Sequence, residues 1–481
     1  MPDNFALLTD FYELTMMQGY HRFQHNPRVV FEMFFRKAPF GGGFSVFAGL
    51  ADLLAGLEKL KFHEDDIAFL ADQKIFAPDF LDYLASFRFS GDVYAMDEGT
   101  LVFPNEPLVR VHAPLIEAQL IESFLLNVIN FQTLIATKAA RVYLASEEGK
   151  VLEFGLRRAH GVNGALAASR AAYIGGAEAT SNTLAGKLYG IPVKGTMAHS
   201  WVMAFDEERL AFENYARIYP QGCILLIDTY DTLASGLENA IAVGRALKEH
   251  GYRGFGVRLD SGDLEYLSKE VRRRLDEAGL PDARIAASNE LDEHIINQLV
   301  AGKAPIDVWG VGTNLVTAKD DPSLAGVYKL KAREENGAFR PTIKVSNNPE
   351  KTTDPGIKQV HRFINGSGAP IADLIALADE TVEPGKPYRF YHPRYPYRYL
   401  DVDCCDRIEP LISQKMKGGR IDCELPSLQT IQAGMKKQLK DLDHTYKRIL
   451  NPHVYKVSLS RKLKEMKFKM IEEYSRGRGK A

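Results

Sequence analysis

The 481-residue sequence has few cysteines and no long apolar run. The cysteines are Cys223, Cys404, Cys405 and Cys423, too few and too clustered for a secreted disulfide framework. No Cys-x-x-Cys pair is present, so a zinc site formed by the last three is disfavoured. A membrane-spanning helix needs about 18 or more apolar residues in succession, and none is found. The first residues show no basic segment followed by an apolar one, so we expect a cytoplasmic protein without a membrane partner.

An excess of either charge is also missing. Lysine and arginine number 60 and aspartate and glutamate 62, giving a formal net charge of -2. Because no strong field would attract a polyanion, we expect no nucleic-acid partner. The moderately basic stretch after Ser427 is best explained as the solvated face of a helix. The length of 481 residues predicts two or three folded domains, and the 45% of hydrophobic residues is ordinary for a globular protein.

The first 135 residues combine one clear helical pattern with short β-rich runs. Phe47 to Leu60 places leucines on one helix face, and Leu108 to His112 follows two prolines as a strand. We expect an N-terminal α+β domain over 1–135, with an antiparallel sheet completed by strands from 340–425. The aromatic runs between Tyr388 and Tyr399 are candidates for those strands. A C-terminal helical segment is predicted over 426–481.

Between residues 136 and 339 the pattern changes to strands alternating with helices. Parallel strands need such helical crossovers, and the number of units favours an irregular α/β barrel over an open sheet. The expected order is Val151 to Phe154 before Arg170 to Tyr189, Ile224 to Ile227 before Thr232 to His250, Gly254 to Leu259 before Leu264 to Ala278, Ala283 to Ala287 before Leu291 to Val300, and then Ile306 to Val311.

Polar or glycine-rich clusters follow several of these strands, as they do at the active-site rim of a βα barrel. The segment Gly195 to Trp201 places His199 among small and hydroxyl-bearing neighbours, including Thr196 and Ser200. A histidine so placed can act as a nucleophile or proton carrier. The alternative is a hydrogen-bonded histidine without a chemical role.

Phe154, Arg157 and Arg158 close another strand. An aromatic ring can stack on the phenyl face while a guanidinium binds an anion through two hydrogen bonds. The pattern therefore predicts a site for a planar ring that carries a carboxylate or phosphate. Alternatively, the phenylalanine belongs to the core and the arginines form salt bridges.

Arg258, Asp260, Ser261 and Gly262 form a third cluster. Arginine and backbone amides suit a phosphate, and the carboxylate suits ribose hydroxyls or Mg²⁺, so a sugar phosphate is the expected ligand. A turn that caps the next helix is the alternative. Two further strand ends support a phosphate ligand. At one of them Asp228, Thr229 and Asp231 can hold a metal-bound diphosphate or cap the next helix. At the other, Gly310, Gly312 and Thr313 form a short glycine-rich loop late in the barrel.

Taken together, these segments resemble the nicotinate phosphoribosyltransferase family along nearly the whole chain. The matching segments are Leu8 to Tyr12, which includes Asp10, Phe35 to Gly43, Glu153 to Arg158, Gly195 to Trp201, the Asp228 and Asp260 clusters, and Lys344 to Ser346. The resemblance implies transfer of a phosphoribosyl group from 5-phosphoribosyl 1-diphosphate to nicotinate, coupled to ATP hydrolysis with Mg²⁺. It also implies a sandwich-like form of the N-terminal α+β domain, a homodimer with shared active sites and transient phosphorylation of His199.

The resemblance assigns roles to the clusters. Phe154 would stack on nicotinate, with Tyr12 of the partner subunit on the other face, and Arg157 would bind the carboxylate. Asp228 would lie on the ribose or diphosphate side. The residues that would hold the phosphoribosyl group are Arg258, Asp260, Gly262, Gly310, Gly312 and Thr313. Further residues expected to bind substrate are Asp10, Thr196, Ser200 and Ser261. No residues are assigned as metal ligands.

Asn182 bears on the choice between acid and amide substrates. Related nicotinamide enzymes look to have aspartate here, and that carboxylate would repel nicotinate, so asparagine removes a like-charge penalty. A helix N-cap or a surface amide is the alternative. Other functions left open are a nicotinamide or quinolinate phosphoribosyltransferase, a sugar-phosphate isomerase and a non-catalytic ligand-binding homodimer.

Overall fold

The computed structural model describes residues 5–395, 397–403 and 405–478, so Cys404 lies outside the described residues. The chain divides into two compact units. Unit 1 combines Met1–Leu134 with Ser323–Ala481, and unit 2 is the intervening Ile135–Pro322. The domain boundaries given above remain sequence predictions.

The helices and strands follow one another in chain order. The helices are α1 (Phe11–Arg22), α2 (Leu50–Lys59), α3 (Glu64–Asp72), α4 (Pro78–Ala85), α5 (Leu115–Leu120), α6 (Glu122–Ala145), α7 (Gly161–Ile174), α8 (Thr183–Tyr189), α9 (His199–Met203), α10 (Glu208–Ile218), α11 (Leu237–Glu249), α12 (Leu264–Glu277), α13 (Glu293–Ala301), α14 (Thr313–Val316), α15 (Leu428–Asp441), α16 (His444–Lys447) and α17 (Arg461–Arg478). The strands are β1 (Arg28–Phe35), β2 (Ser45–Val46), β3 (Asp92–Ala95), β4 (Leu101–Val102), β5 (Val109–Pro114), β6 (Lys150–Glu153), β7 (Ala179–Thr180), β8 (Ile224–Leu226), β9 (Gly256–Leu259), β10 (Arg284–Ala287), β11 (Val308–Val311), β12 (Gly326–Glu335), β13 (Ala338–Pro341), β14 (Lys358–Ile364), β15 (Pro370–Leu377), β16 (Tyr388–Tyr391), β17 (Tyr399–Val402), β18 (Arg407–Pro410), β19 (Ser413–Lys417), β20 (Arg420–Ile421) and β21 (Val457–Leu459).

Unit 1 contains an antiparallel sheet built from distant parts of the chain. Its strand order is β13-β12-β1-β5-β3-β19-β20, so strands that follow residue 323 complete a sheet begun near the N-terminus. β1 pairs with β12 on one side and β5 on the other. All but its first residue are buried, as expected for a central strand covered on both faces. The predicted helix over Phe47 to Leu60 is confirmed as α2, with Leu50, Leu53, Leu54 and Leu57 buried.

A second sheet of unit 1 corrects the expectation for the aromatic strands. β16 and β17, which cover Tyr388 to Tyr399, pair within the order β17-β16-β21-β15-β14-β18 and not within the N-terminal sheet. Phe390 of β16 is fully buried against Phe363, with the ring centroids 4.9 Å apart. The contact between Phe390 of β16 and Phe363 of β14 thus lies within the second sheet, to which the aromatic strands belong.

Unit 2 is built on a parallel sheet with the order β7-β6-β11-β10-β9-β8. The strands predicted from Val151, Ile224, Gly254, Ala283 and Ile306 are confirmed as β6, β8, β9, β10 and β11. The pairing among the described residues runs from one edge to the other and does not close into a ring. A mixed α/β architecture with a parallel sheet is therefore observed.

The predicted helix over Arg170 to Tyr189 is wrong in extent. α7 begins at Gly161 and ends at Ile174, β7 follows, and α8 begins only at Thr183. Gly176 has a φ of 112°, a conformation that L side chains rarely adopt, and it packs against the ring of Tyr143. A turn at residues 175–176 ends α7, so one long helix is excluded.

Helices pack on the parallel sheet through narrow apolar faces. In α12 the buried residues Ser268, Val271 and Leu275 recur at helical spacing, while most of the other positions are charged. Asp263 caps this helix by accepting a hydrogen bond from the Tyr266 amide at 3.1 Å. The helix therefore begins directly after the cluster Arg258 to Gly262. No helix of the described residues is long and apolar enough to cross a membrane.

Candidate active site

The carboxyl ends of the parallel strands bring the predicted clusters of unit 2 together. β9, β10 and β11 are neighbours, so Asp260, Ser288 and Gly312 follow adjacent strands at one edge of the sheet. Ligands of parallel α/β sheets bind outside this edge. The structure therefore places the predicted polar clusters where a ligand site is expected.

His199 begins α9 and faces two carboxylates. Its Nε2 atom lies 3.7 Å from Oδ2 of Asp260 and 3.9 Å from Oδ1 of Asp228. Its Nδ1 atom lies 3.2 Å from the hydroxyl oxygen of Thr229. The imidazole side chain is 40% exposed, so it is both oriented by protein groups and open to a ligand.

One carboxylate oxygen of Asp228 is held by hydrogen bonds, and the other has none among the described residues. Its Oδ2 accepts hydrogen bonds from the Asp260 amide at 3.0 Å and the Ser261 hydroxyl at 2.6 Å. Its Oδ1 is buried without a hydrogen-bond partner among the described residues. A buried carboxylate oxygen without a hydrogen bond costs free energy. Because Oδ1 of Asp228 also faces the imidazole, it is a candidate to bind a cation or to accept a hydrogen bond from a hydroxyl of a ligand.

Arg258 lies on β9, with Asp260 following two positions later. Its Nη2 donates a 2.8 Å hydrogen bond to the carbonyl of Met197, two residues before His199. Burial lowers the pKa of Arg258. The negative charges of Asp260 and Asp228 oppose this effect, and like-charge repulsion from Arg157 lowers the pKa a little further. Two arginines thus contribute positive charge to the region beside these carboxylates.

Phe154 forms a platform against the glycine-rich strand β11. A Cβ atom on Gly310 would lie 2.8 Å from Cδ2 of the phenyl ring and 3.3 Å from Cβ of Ser288. A Cβ on Gly155 would collide with Val316 at 2.4 Å. Gly310 and Gly155 are therefore required by close packing around Phe154, and Arg157 is exposed three residues after the ring.

Asn182 is buried behind this platform, with 2% of its surface exposed. Its Oδ1 caps α8 by accepting from the Ala185 amide at 3.2 Å, and its Nδ2 donates to Ser169 Oγ at 3.2 Å. Ser169 in turn donates to Glu153 at 2.9 Å. The side chain thus has the helix-capping role considered above, within a network that reaches the residue before Phe154.

The other predicted residues of unit 2 lie at the same strand ends. Thr196 is half-buried and Ser200 is exposed, on either side of His199, and Gly262 has a φ of 79° in the turn before α12. Gly312 precedes α14, whose first residue is Thr313. None of these five residues contacts His199 through a side chain among the described hydrogen bonds and ion pairs.

Asp10 and Tyr12 belong to unit 1. Asp10 precedes α1, and its Oδ2 accepts a 2.8 Å hydrogen bond from the Ser123 hydroxyl. Tyr12 is 51% exposed on the first turn of α1. The neighbouring Leu8 and Phe11 are also about half exposed, at 48% and 50%. An exposed apolar surface therefore surrounds Tyr12.

Ser288 was not selected from the sequence, and Thr229 was considered only as a member of the Asp228 cluster. Ser288 donates to Oδ1 of Asp260, and Thr229 contacts His199. Thr229 was next to a chosen aspartate, so its position was a usable signal. Ser288 follows an ordinary buried strand, and only the pairing of β10 with β9 shows that it reaches Asp260.

Comparison with known proteins decides the family. The model of the nicotinate phosphoribosyltransferase N-terminal domain matches residues 7–130, the family model matches 150–366, and the C-terminal domain model matches 357–467. The Bacillus subtilis nicotinate phosphoribosyltransferase is 47% identical over 477 residues, covering 98% of this chain and 96% of the relative. The chain belongs to the nicotinate phosphoribosyltransferase family. This is a family of enzymes, and the predicted resemblance is confirmed.

Human relatives support the same assignment in sequence and in structure. The human nicotinate phosphoribosyltransferase is 36% identical, with 96% of this chain and 95% of the relative covered. The crystal structure of human nicotinic acid phosphoribosyltransferase superposes with a TM-score of 0.84 at 33% identity, covering 96% of this chain and 99% of that one. Nicotinate phosphoribosyltransferase family membership thus extends over both units.

Proposed function

We propose that this protein transfers the phosphoribosyl group of 5-phosphoribosyl 1-diphosphate to nicotinate. The pyridine nitrogen forms the new bond to C1 of the ribose, the bond from C1 to the diphosphate oxygen breaks, and nicotinate mononucleotide and diphosphate leave. The observation that carries the proposal is the grouping of His199, Asp228, Arg258 and Asp260 beside the Phe154 platform in a member of this family.

The nicotinate ring is assigned to the platform formed by Phe154 and Gly310. The missing side chain at residue 310 lets the phenyl ring lie against β11, leaving its other face for a planar ligand. Arg157 is the group assigned to the carboxylate, because it is exposed and next to the ring. Asn182 keeps the buried network behind the platform free of a further negative charge.

The phosphoribosyl group is assigned to the strand ends of β8, β9 and β11. Asp228 and Asp260 offer carboxylate oxygens, Arg258 offers positive charge, and Gly262, Gly310, Gly312 and Thr313 offer a backbone that a phosphate can approach closely. Ser261 holds Asp228 in place at 2.6 Å. The assignment gives a role to Oδ1 of Asp228, which is buried beside His199 without a hydrogen-bond partner among the described residues.

Magnesium is proposed to arrive with the diphosphate. No cluster of three or more His, Cys, Asp or Glu side chains within the described residues is arranged to hold a metal. Mg²⁺ is commonly bound by one or two carboxylates together with substrate phosphates, and the unpartnered Asp228 Oδ1 with Asp260 suits that mode. The ion would neutralise the departing diphosphate, while the two aspartates fix its position.

ATP coupling is proposed to act through phosphorylation of His199. The two carboxylates near Nε2 favour a proton on that nitrogen, which leaves the Nδ1 lone pair available to attack the γ-phosphorus of ATP. The bond from that phosphorus to the bridging oxygen of ADP breaks. The phosphorylated imidazole would carry negative charge next to the ribose site and so stabilise a cationic sugar-like transition state.

The parallel sheet of unit 2 is proposed to curl into an irregular α/β barrel. Val193 bridges Thr180 at the β7 edge, and Met197, four residues later, accepts from Arg258 near the β8 edge. The segment from Val193 to Met197 therefore contacts both the edge strand β7 and, through the Arg258 side chain, β9 next to the opposite edge strand. Tyr12 is exposed on unit 1. It is proposed to complete the nicotinate site of a partner subunit in a homodimer.

A cytoplasmic location is inferred, because the proposed reaction uses small metabolites.

The deciding assay uses the purified full-length protein with 5-phosphoribosyl 1-diphosphate, Mg²⁺ and nicotinate, with and without ATP. Formation of nicotinate mononucleotide, stimulated by ATP, is expected. Equimolar nicotinamide and quinolinate in competition should leave nicotinate as the preferred acceptor. Absence of any mononucleotide, or preference for either competitor, would overturn the proposal.

A further inference from the structure

Asp228 and Asp260 share one arrangement around His199. Each has one carboxylate oxygen within 4 Å of the imidazole Nε2, at 3.9 Å for Asp228 and 3.7 Å for Asp260. Each has its other oxygen held by protein donors. Those donors are the Asp260 amide and the Ser261 hydroxyl for Asp228, and the Ser288 hydroxyl for Asp260.

Ser288 is firmly placed to restrain Asp260. It follows β10, in which Ala287 pairs with Leu259 of β9, and its amide donates to the Leu259 carbonyl at 2.9 Å. Only 4% of the residue is exposed. Its single hydroxyl proton has two acceptors in reach, the Leu259 carbonyl at 3.5 Å and the closer carboxylate of Asp260. The charged and closer acceptor is the stronger one.

Asp260 needs this restraint more than Asp228 does. The Asp228 side chain is 1% exposed, whereas the Asp260 side chain is 34% exposed and can rotate toward solvent. Rotation would move Oδ2 away from His199 and from the assigned ribose site. A hydroxyl anchored in the sheet opposes that rotation, because it keeps Oδ1 within the protein.

We propose that Ser288 is a positioning residue that fixes Asp260 for its interaction with the imidazole and the phosphoribosyl substrate. This inference rests on the proposed function. Ser288 also contributes its Cβ atom to the surroundings of Gly310 and Phe154, so loss of the hydroxyl alone should spare the nicotinate platform. The proposed role therefore predicts different effects on the two substrates.

The test compares Ser288→Ala with Ser268→Ala, a matched control. Ser268 is fully buried in α12, and its hydroxyl donates to the Glu265 carbonyl at 3.1 Å, away from the aspartates. We expect Ser288→Ala to lower kcat/KM for 5-phosphoribosyl 1-diphosphate roughly tenfold, as for a lost hydrogen bond to a charged group. The KM for nicotinate should stay within about twofold of wild type, because the platform keeps its packing.

Two further measurements separate positioning from folding. Ser288→Thr keeps a hydroxyl and should recover most of the lost kcat/KM, whereas Ser288→Val, of the same shape as threonine, should not. In an Asp260→Ala background, Ser288→Ala should cost less than about twofold, because its partner is already missing.

The outcomes discriminate this inference from the proposed function. A wild-type protein that forms no nicotinate mononucleotide contradicts the proposed function. If the wild type is active, three results would contradict the role of Ser288. Ser288→Ala could behave like Ser268→Ala, or it could lose activity equally toward both substrates. Ser288→Val could also be as active as Ser288→Thr.

Discussion

Arg258 donates a hydrogen bond from Nη2 to the main-chain oxygen of Met197 at 2.8 Å. The bond ties the segment that carries His199 to the strand that leads into Asp260. Because a guanidinium is engaged, the bond is a charge-assisted one and orients the histidine segment from outside its own short helix. Geometry at His199 thus depends on residues about sixty positions apart, and the predictions below test the consequences.

His199→Ala removes the proposed phosphate acceptor. The variant should retain slow transfer, because Asp228, Asp260 and Arg258 remain, but should lose the stimulation by ATP. The measurement is the initial rate of nicotinate mononucleotide formation with and without ATP. ATP stimulation equal to that of wild type would exclude a phosphohistidine at this position.

Arg157→Ala removes the proposed carboxylate clamp. The KM for nicotinate should rise roughly 10- to 100-fold, since a hydrogen bond to a charged group contributes about 1.5 to 3 kcal/mol. Arg158→Ala is the matched control, as the next residue is also an exposed arginine. If Arg158→Ala raises the KM more than Arg157→Ala does, the two roles are exchanged.

Asn182→Asp places a carboxylate in the buried network of Ser169 and Glu153. The substitution keeps an oxygen to cap α8 but replaces the donor to Ser169 with a charged acceptor. The kcat/KM for nicotinate should fall about tenfold or more, through like-charge repulsion. Asn182→Ala loses the cap without adding charge, so comparison of the two in activity and Tm separates electrostatics from folding. Unchanged kcat/KM in the aspartate variant would refute the role.

His361 makes unit 1 sensitive to acid. Burial lowers the pKa of this histidine to about 4, and its Nε2 has no hydrogen-bond partner among the described residues. In the unfolded chain His361 takes up a proton near pH 6.5, whereas in the folded protein it does so only near pH 4. The contribution of neutral His361 to the free energy of unfolding is therefore complete above pH 6.5 and is lost as the pH falls from 6.5 to about 4. The loss is up to roughly 3 kcal/mol, at about 1.4 kcal/mol per pKa unit.

His361→Leu should reduce that decline. Measurement of Tm at pH 7.5 and pH 5 should show a smaller drop for the variant than for wild type. The control is His444→Leu, whose histidine is 83% exposed in its side chain. An equal drop in wild type and His361→Leu would show that other groups govern the acid response.

Much of unit 2 followed from the sequence because its signals are local. The pattern from Gly254 to Ala278 predicted β9 and α12 closely, since strand, cap and amphipathic helix are each encoded within a few residues. The stretch over Arg170 to Tyr189 failed because a helical pattern does not reveal a turn imposed by Gly176 packing on Tyr143. The local sequence around Gly176 does not show that the backbone there lies against Tyr143, more than thirty positions earlier.

The site was predictable where residues carried recognisable chemistry. His199, Asp228 and Asp260 were selected individually. The structure places Nε2 of His199 within 4 Å of one carboxylate oxygen of each aspartate. Ser288 was missed because a serine after a buried strand carries no distinctive pattern. In unit 1, the sheet to which each strand belongs depends on pairings between residues hundreds of positions apart, such as β1 with β12.

The dependence of β1 on β12 has a consequence for biosynthesis. On the ribosome, Arg28–Phe35 emerges long before Gly326–Glu335, so one side of an apolar strand remains without its hydrogen-bonding neighbour while the whole of the intervening unit is translated. Unpaired apolar strands invite association between nascent chains. Truncated products that stop before residue 326 are therefore expected to aggregate, whereas the complete chain conceals this strand.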